Sequence, residues 1–349
     1  MLLNLRVIEP KTAMCKKTGN TGLLLQVRES NAPNDQPYTF FMLRKISRNI
    51  LKTPVFIVLA SALLHSQSAH AWGNEGHKII NHLAATSLPA DAPAFLRSEG
   101  AISEIEYLGP EPDRWRSPAE PELSAVQAPE HFIDLEPADA LGPLPRRRFD
   151  FEAEVFASGQ RPEKIGLQPW QATEVWERLK AALREYRRLS AAHEDTRPVE
   201  QAAIFYAGWL GHYVGDASQP LHTTIQYNGW TGPNPNGYTT AHTIHWKFEG
   251  PFVGANLHEG DVKPRMTSVH PVEGDVFADY VAYIRQTATH VEKVYQLEKV
   301  GGFEGQGTQE SRDFTADRLA ASASMLRDMI YSAWLQSANP VPERNASAN

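Results

Sequence analysis

The chain has 349 residues, 42% of them apolar and 21% charged, which excludes both a disordered chain and a membrane bundle and leaves room for a sizeable core. Lys+Arg 34 against Asp+Glu 41 gives a net charge of −7, so polyanions are not held by bulk charge, and any nucleic acid is met locally.

The first 71 residues differ from the rest. Met42 to Lys52 is basic without an acid, Val55 to Leu64 is continuously apolar, and Ala69-His70-Ala71 is a small-x-small cleavage pattern. That order is the layout of a secretory signal peptide, and the apolar run is too short to span a bilayer; an N-terminal membrane anchor is the competing reading. Met42 is then the better start, residues 1–41 an over-extended gene model, 42–71 the signal, and 72–349 the working domain of an exported protein, periplasmic or secreted. Residues 1–71 hold nine basic and three acidic residues, so 25 against 38 remain, a net −13. The only cysteine, Cys15, lies in the removed part, leaving a core or a metal, and no disulfide, to stabilise the fold.

From Trp72 onward the periodicity is helical, and no alternating strand run stands out. Helices are predicted at His77 to Leu88, Asp91 to Ser98, Trp170 to His193, Pro198 to Ala217 behind a Thr196 cap, Val276 to Val300, and Thr308 to Ser337. In the third, Val175, Leu179, Ala182, Tyr186 and Leu189 share one face. Glu136 to Gly166, with its Arg146-Arg147-Arg148 run, reads as a surface excursion, the arginines either solvated or phosphate-binding. Asn228 to Thr240 is rich in Asn, Gly and Pro and reads as a rigid loop, whose Trp230 and Tyr238 either pack on the body or stack on a ligand. The fold class is therefore all-α.

The chemistry centres on Gly211 to His222, GHYVGDASQPLH. His212 and Asp216, four apart, share a helix face, and Pro220 turns the chain to bring in His222. His245 and Glu249 repeat the spacing, while His77, Asp113 and His131 stand upstream. One such pair is usually a surface ion pair; five histidines with three acids suit zinc, and exceed what one ion needs. A multinuclear cluster with a bridging carboxylate fits the count. Cleavage after Ala71 would add the Trp72 α-amino group and carbonyl oxygen as donors. His82, His193, His258, His270 and His290 read as ordinary histidines, and His245 is preferred to His242 because only His245 has an acid four residues on.

In these residues the chain resembles the trinuclear-zinc phosphodiesterases, the single-strand-specific nucleases of the S-one/P-one type and the bacterial zinc-dependent phospholipases C. The likeness rests on an N-terminal Trp, the His-x-x-x-Asp-x-x-x-x-x-His segment and a later His-x-x-x-acid pair, over nearly the whole of 72–349. It implies a single multi-helix domain around three Zn2+ ions. Asp113, His131, His212 and Asp216 would hold one ion, Trp72, His77 and a bridging Asp216 the second, and His222, His245 and Glu249 the third. A metal-bound hydroxide would attack the phosphodiester, Asp113 positioning the water and Arg116 a non-bridging oxygen. The short Trp72-to-His77 spacing and Arg116 match the nucleases; Glu249, where nucleases carry Asp, is closer to the phospholipases. Single-stranded nucleic acid or nucleotides are the expected substrate, with 5′-phosphate products, phospholipid is the alternative, and a non-catalytic zinc-stabilised binding protein is a third reading. No stable protein partner is implied.

Overall fold

The computed structural model describes residues 72–341, so the expected extension and signal segment lie outside the described residues. Eight helices of nine or more residues form the body. These are α1 (Gly73–Thr86), α2 (Glu99–Leu108), α3 (Arg148–Ala157), α4 (Gln168–Ala191), α5 (Arg197–Ser218), α6 (Val276–Ala288), α7 (Val291–Lys299) and α8 (Gln309–Gln336). Short helical turns join them, and among the described residues only isolated β-bridges occur. No described helix is long and apolar enough to cross a membrane.

Each long helix follows its apolar period. On α4, Val175, Leu179 and Ala182 are buried, whereas Tyr186 and Leu189 are partly covered; Trp176 Nε1 ties α4 to α8 by donating to Met329 O at 2.9 Å. The predicted positions shift at three places. Residues 91–98 form only a 3₁₀ turn, Ala94–Arg97, while the helix follows in α2, where Ser98 Oγ accepts from Ala101 N and Ala101, Ile105 and Leu108 are buried. The span 276–300 breaks between α6 and α7 without Gly or Pro; Thr289 Oγ1 donates to Gln286 O, a side-chain bond that competes with the helix. Thr196 does precede α5, but its hydroxyl donates to Glu200 Oε1 and caps nothing.

The stretch 136–166 is more than a surface excursion. It contains α3, whose Phe151 and Val155 are fully buried, Phe151 stacking on Trp170 with ring centroids 4.3 Å apart. Burying two such side chains contributes about 1.5–3 kcal/mol each. The arginine run does not form a free basic face: Arg146 pairs with Asp275, Arg147 with Asp150, and Arg148 with Glu130 and Glu152. Likewise Trp230 and Tyr238 pack on the body, both against Tyr295 of α7.

Helix α5 runs through the middle, packed against α1, α2, α4, α6 and α8. Its Gly208, Gly211 and Gly215 let α1 and α2 approach closely. A Cβ at Gly215 would stand 2.8 Å from His77 Nδ1, and the His77 ring is backed by His212, stacked at 4.1 Å. Gly215→Ala gains about 1 kcal/mol in helix propensity, yet overpacking at so short a contact costs about 1–3 kcal/mol. The expected result is a net loss in urea midpoint together with displacement of His77, read as reduced zinc content. Wild-type zinc content in this variant would show that His77 has room to move.

Candidate metal centre

Helices α1 and α5 and five short turns bring the expected donors together. His212 and Asp216 come from α5, His77 from α1, Asp113 from Glu111–Arg114, His131 from the 3₁₀ turn Ala128–His131, and His222 from the turn opened by Pro220. His245 lies on Ile244–Lys247 and Glu249 on the π-helical turn Phe248–Phe252. Pro251 within that turn has no N–H to return to Lys247, which favours the wider turn. All eight side chains are buried.

The separations are those of metal ligands. Donors about 2.0–2.1 Å from a tetrahedral zinc stand about 3.3 Å apart. His131 Nδ1 is 3.1 Å and His212 Nε2 3.4 Å from Asp216 Oδ2, the two nitrogens are 2.9 Å apart, and Asp113 Oδ1 is 3.8 and 3.9 Å from them. In a second group, Glu249 Oε1 is 3.1 Å from His222 Nε2 and 2.9 Å from His245 Nε2, which are themselves 3.2 Å apart. His77 Nε2 lies 3.5 Å from Asp216 Oδ1, so Asp216 reaches both sides as a bridging carboxylate must. His77 also falls within one donor group with Asp113 and His212, a closer sharing than the division expected from sequence. His242 is exposed, as are His193 and His258; His82 bonds Glu106 on the outer side of α1.

Backbone carbonyls aim three of the imidazoles. Nδ1 of His212 donates to Gly109 O, that of His222 to His131 O and that of His245 to Tyr227 O, at 2.7–3.0 Å, leaving each Nε2 lone pair turned inward. Gln219 was not singled out in sequence: its carboxamide donates to Glu249 Oε1 and accepts from Leu221 N, tying the turn that carries His222 to the third site. Its signal in sequence was its place in the His-Tyr-x-Gly-Asp-x-x-Gln-Pro-x-His pattern, which also fits the phospholipase branch.

Trp72 is fully buried. Its indole donates to Gly215 O at 2.7 Å and Ser218 Oγ at 3.0 Å and meets Phe248 edge-on. Its carbonyl accepts the first bond of α1, from Gly76 N, so the helix already engages one of the two Trp72 atoms expected to chelate.

Electrostatics fit a cation. Burial, with His77 and His131 nearby, holds His212 well below the usual imidazole range, in the neutral form a metal needs. Burial, then Asp113 and Glu249, drives Asp216 well above the carboxylate range: acids this close do not all ionise without a compensating charge. Glu249 falls to about 2 because His245 and His222 outweigh its burial. Asp216 Oδ1 and Glu249 Oε2 are buried with no hydrogen-bond partner among the described residues. Orphaned carboxylate oxygens beside inward-facing imidazole nitrogens are a donor set for zinc.

A cavity of about 320 Å3 opens beside the cluster, lined by Arg116, Phe132, Asp134, Lys164, Tyr227 and Asn228 together with His131, His222 and His245. Arg116 Nη1 is 3.4 Å from Asp113 Oδ1. Asp134 is pushed up to about 7 by burial and then by Glu136. Its folded-state value thus exceeds the ordinary value of about 3.9, so the folded protein retains a proton that the unfolded chain releases, and stability falls as pH rises from about 4 to about 7. Asp134→Asn is expected to raise Tm at pH 8 by on the order of 5 °C and to leave it unchanged at pH 4; equal shifts at both would mean that Asp134 is not desolvated.

An all-α body with five histidines and three carboxylates buried close together defines a protein with a candidate metal centre. Residues 72–339 match the model of the S1/P1 nuclease family, and the chain belongs to that family. No curated protein matches it. Among solved structures it is similar to the alpha-toxin of Clostridium perfringens from an avian strain, with 14% identity, a TM-score of 0.36, and 77% of this chain and 64% of that one covered. It is also similar to the alpha toxin of Clostridium absonum, with 13% identity, a TM-score of 0.38, and 79% and 67% covered. The chain thus spans less than two thirds of the first toxin's length.

Proposed function

We propose that this protein is an exported nuclease that hydrolyses single-stranded DNA or RNA to 5′-phosphate products with three zinc ions. Asp113, His131, His212 and Asp216 hold the first, Trp72, His77 and Asp216 the second, and His222, His245 and Glu249 the third. Export is inferred from the signal-like segment 42–71. Zinc held there supplies a Lewis acid for phosphoryl oxygens and lowers the pKa of water towards neutrality.

This chain's own residues do the rest. Arg116, a quarter exposed at the cluster's edge, donates to a non-bridging oxygen, and Asp113 orients the attacking water and takes up its proton. Attack on phosphorus in line with the 3′-oxygen breaks that P–O bond; the water's proton ends on the departing oxygen as a 3′-hydroxyl, and the phosphate stays on the 5′ side. The cavity is the observation that carries the nucleic-acid reading. Phe132 lines it as an aromatic residue, while Asp134, Glu163, Lys164 and Asn228, whose Oδ1 is buried with no hydrogen-bond partner among the described residues, offer hydrogen bonds. A planar group with polar edges fits such a recess, as a base does.

One observation favours phospholipid instead. Ile225, Tyr227 and Trp246, which neighbour the His222 and His245 site in sequence, are 40%, 52% and 41% exposed, and an apolar rim suits a lipid surface. The two readings separate in one experiment with protein beginning at Trp72, given single-stranded DNA and phosphatidylcholine vesicles, each with and without a zinc chelator. Chelator-sensitive cleavage of the DNA alone is the expected result. Cleavage of the lipid alone would overturn the nuclease reading and make Glu249 the better marker of substrate.

A further inference from the structure

Arg148 opens α3 on an arm that sequence places at the surface, yet its guanidinium turns inward. Nη1 donates to Glu130 Oε1 at 3.0 Å and Nε to Glu152 Oε1 at 2.8 Å. Glu130 is 3% exposed, immediately precedes His131 on the turn Ala128–His131, and has no hydrogen-bond partner for Oε2 among the described residues. The turn is also held by Leu167 N donating to Pro129 O, Gln168 N to Phe132 O and His222 Nδ1 to His131 O. The cation that tethers Glu130 is Arg148.

We propose that Arg148 is a positioning residue for the metal centre: through Glu130 it fixes the turn that carries His131, and so sets the affinity of the zinc position formed by Asp113, His131, His212 and Asp216. This rests on the metal reading above. A buried carboxylate that loses its cation is left as an uncompensated charge, which destabilises the turn that carries it, and partners that orient ligands tune metal affinity by about 10–100-fold.

The test is zinc titration of protein beginning at Trp72 against a competing chromophoric chelator, with thermal unfolding in parallel. Arg148→Ala is expected to weaken one zinc by about 10–100-fold and to leave the others as in wild type. Arg148→Lys should keep most of the affinity. Arg148→Ala combined with Glu130→Gln should recover it, because no uncompensated charge is then buried; a role in packing alone would not be rescued this way. Arg147→Ala, a substitution at an exposed site, serves as control. Wild-type zinc affinity in Arg148→Ala, or a double variant no better than the single, overturns the inference. Should Arg148→Ala not fold, the Lys and double variants decide it: affinity near wild type in both supports the tether, and a loss in the double variant overturns it. Wild-type protein that binds no zinc would fail the metal reading itself, a distinct result.

Discussion

Asp216→Ala is expected to empty two zinc positions at once and to lower phosphodiester cleavage by at least about 10³-fold, equivalent to about 4 kcal/mol of transition-state stabilisation. The reason is geometric. Asp216 Oδ2 lies against His131 and His212 while Oδ1 faces His77, so one carboxylate serves two groups of imidazoles from the last turns of α5. Metal analysis should give two fewer zinc ions per chain than wild type. His82→Ala, on the outer side of α1 and hydrogen-bonded to Glu106, should change neither quantity. Loss of a single zinc from Asp216→Ala would make Asp216 a terminal ligand and not a bridge.

The second large effect concerns the chain's start. If cleavage after Ala71 frees the Trp72 amine, protein carrying one extra residue ahead of Trp72 presents an amide nitrogen, which has no lone pair available to a metal at neutral pH. Such protein should bind one zinc fewer and be slower by about 10²-fold, at the upper end of what weakened ligation costs. The fold should survive, since the indole is anchored by Gly215 O, Ser218 Oγ and Phe248, independently of the amine. Equal zinc content and rate in the two forms would remove Trp72 from the site and leave it as a packing residue.

Much of the architecture was legible because it repeats locally. The apolar period of α4, α5 and α8 and the i, i+4 spacing of His212 with Asp216 and His245 with Glu249 are properties of a helix that hold in any tertiary context. Ser98 with Ala101, Ile105 and Leu108 is equally readable as a cap and an apolar stripe, although the expected helix at 91–98 lies about two turns ahead of α2. The break between α6 and α7 had no Gly or Pro to mark it, and α3 hid in a stretch whose Pro and Arg content resembles a loop. Only two of its ten residues are buried, too few for periodicity to register.

Sequence by itself determined the residue types, their order and their helical faces, and hence an all-α protein with enough histidines and carboxylates for several metal ions. Which of them meet was decided by tertiary structure, because the distances depend on how closely α1 and α2 approach α5, and that approach depends on Gly208, Gly211 and Gly215 lacking side chains. The carbonyls of Gly109, His131 and Tyr227 that aim the imidazoles, Gln219 behind Glu249, and the inward turn of Arg148 all join residues distant in the chain or hidden by local composition. Spacing along a helix is fixed by covalent geometry and the 3.6-residue turn; contacts between helices are fixed by what each surface lets the other reach.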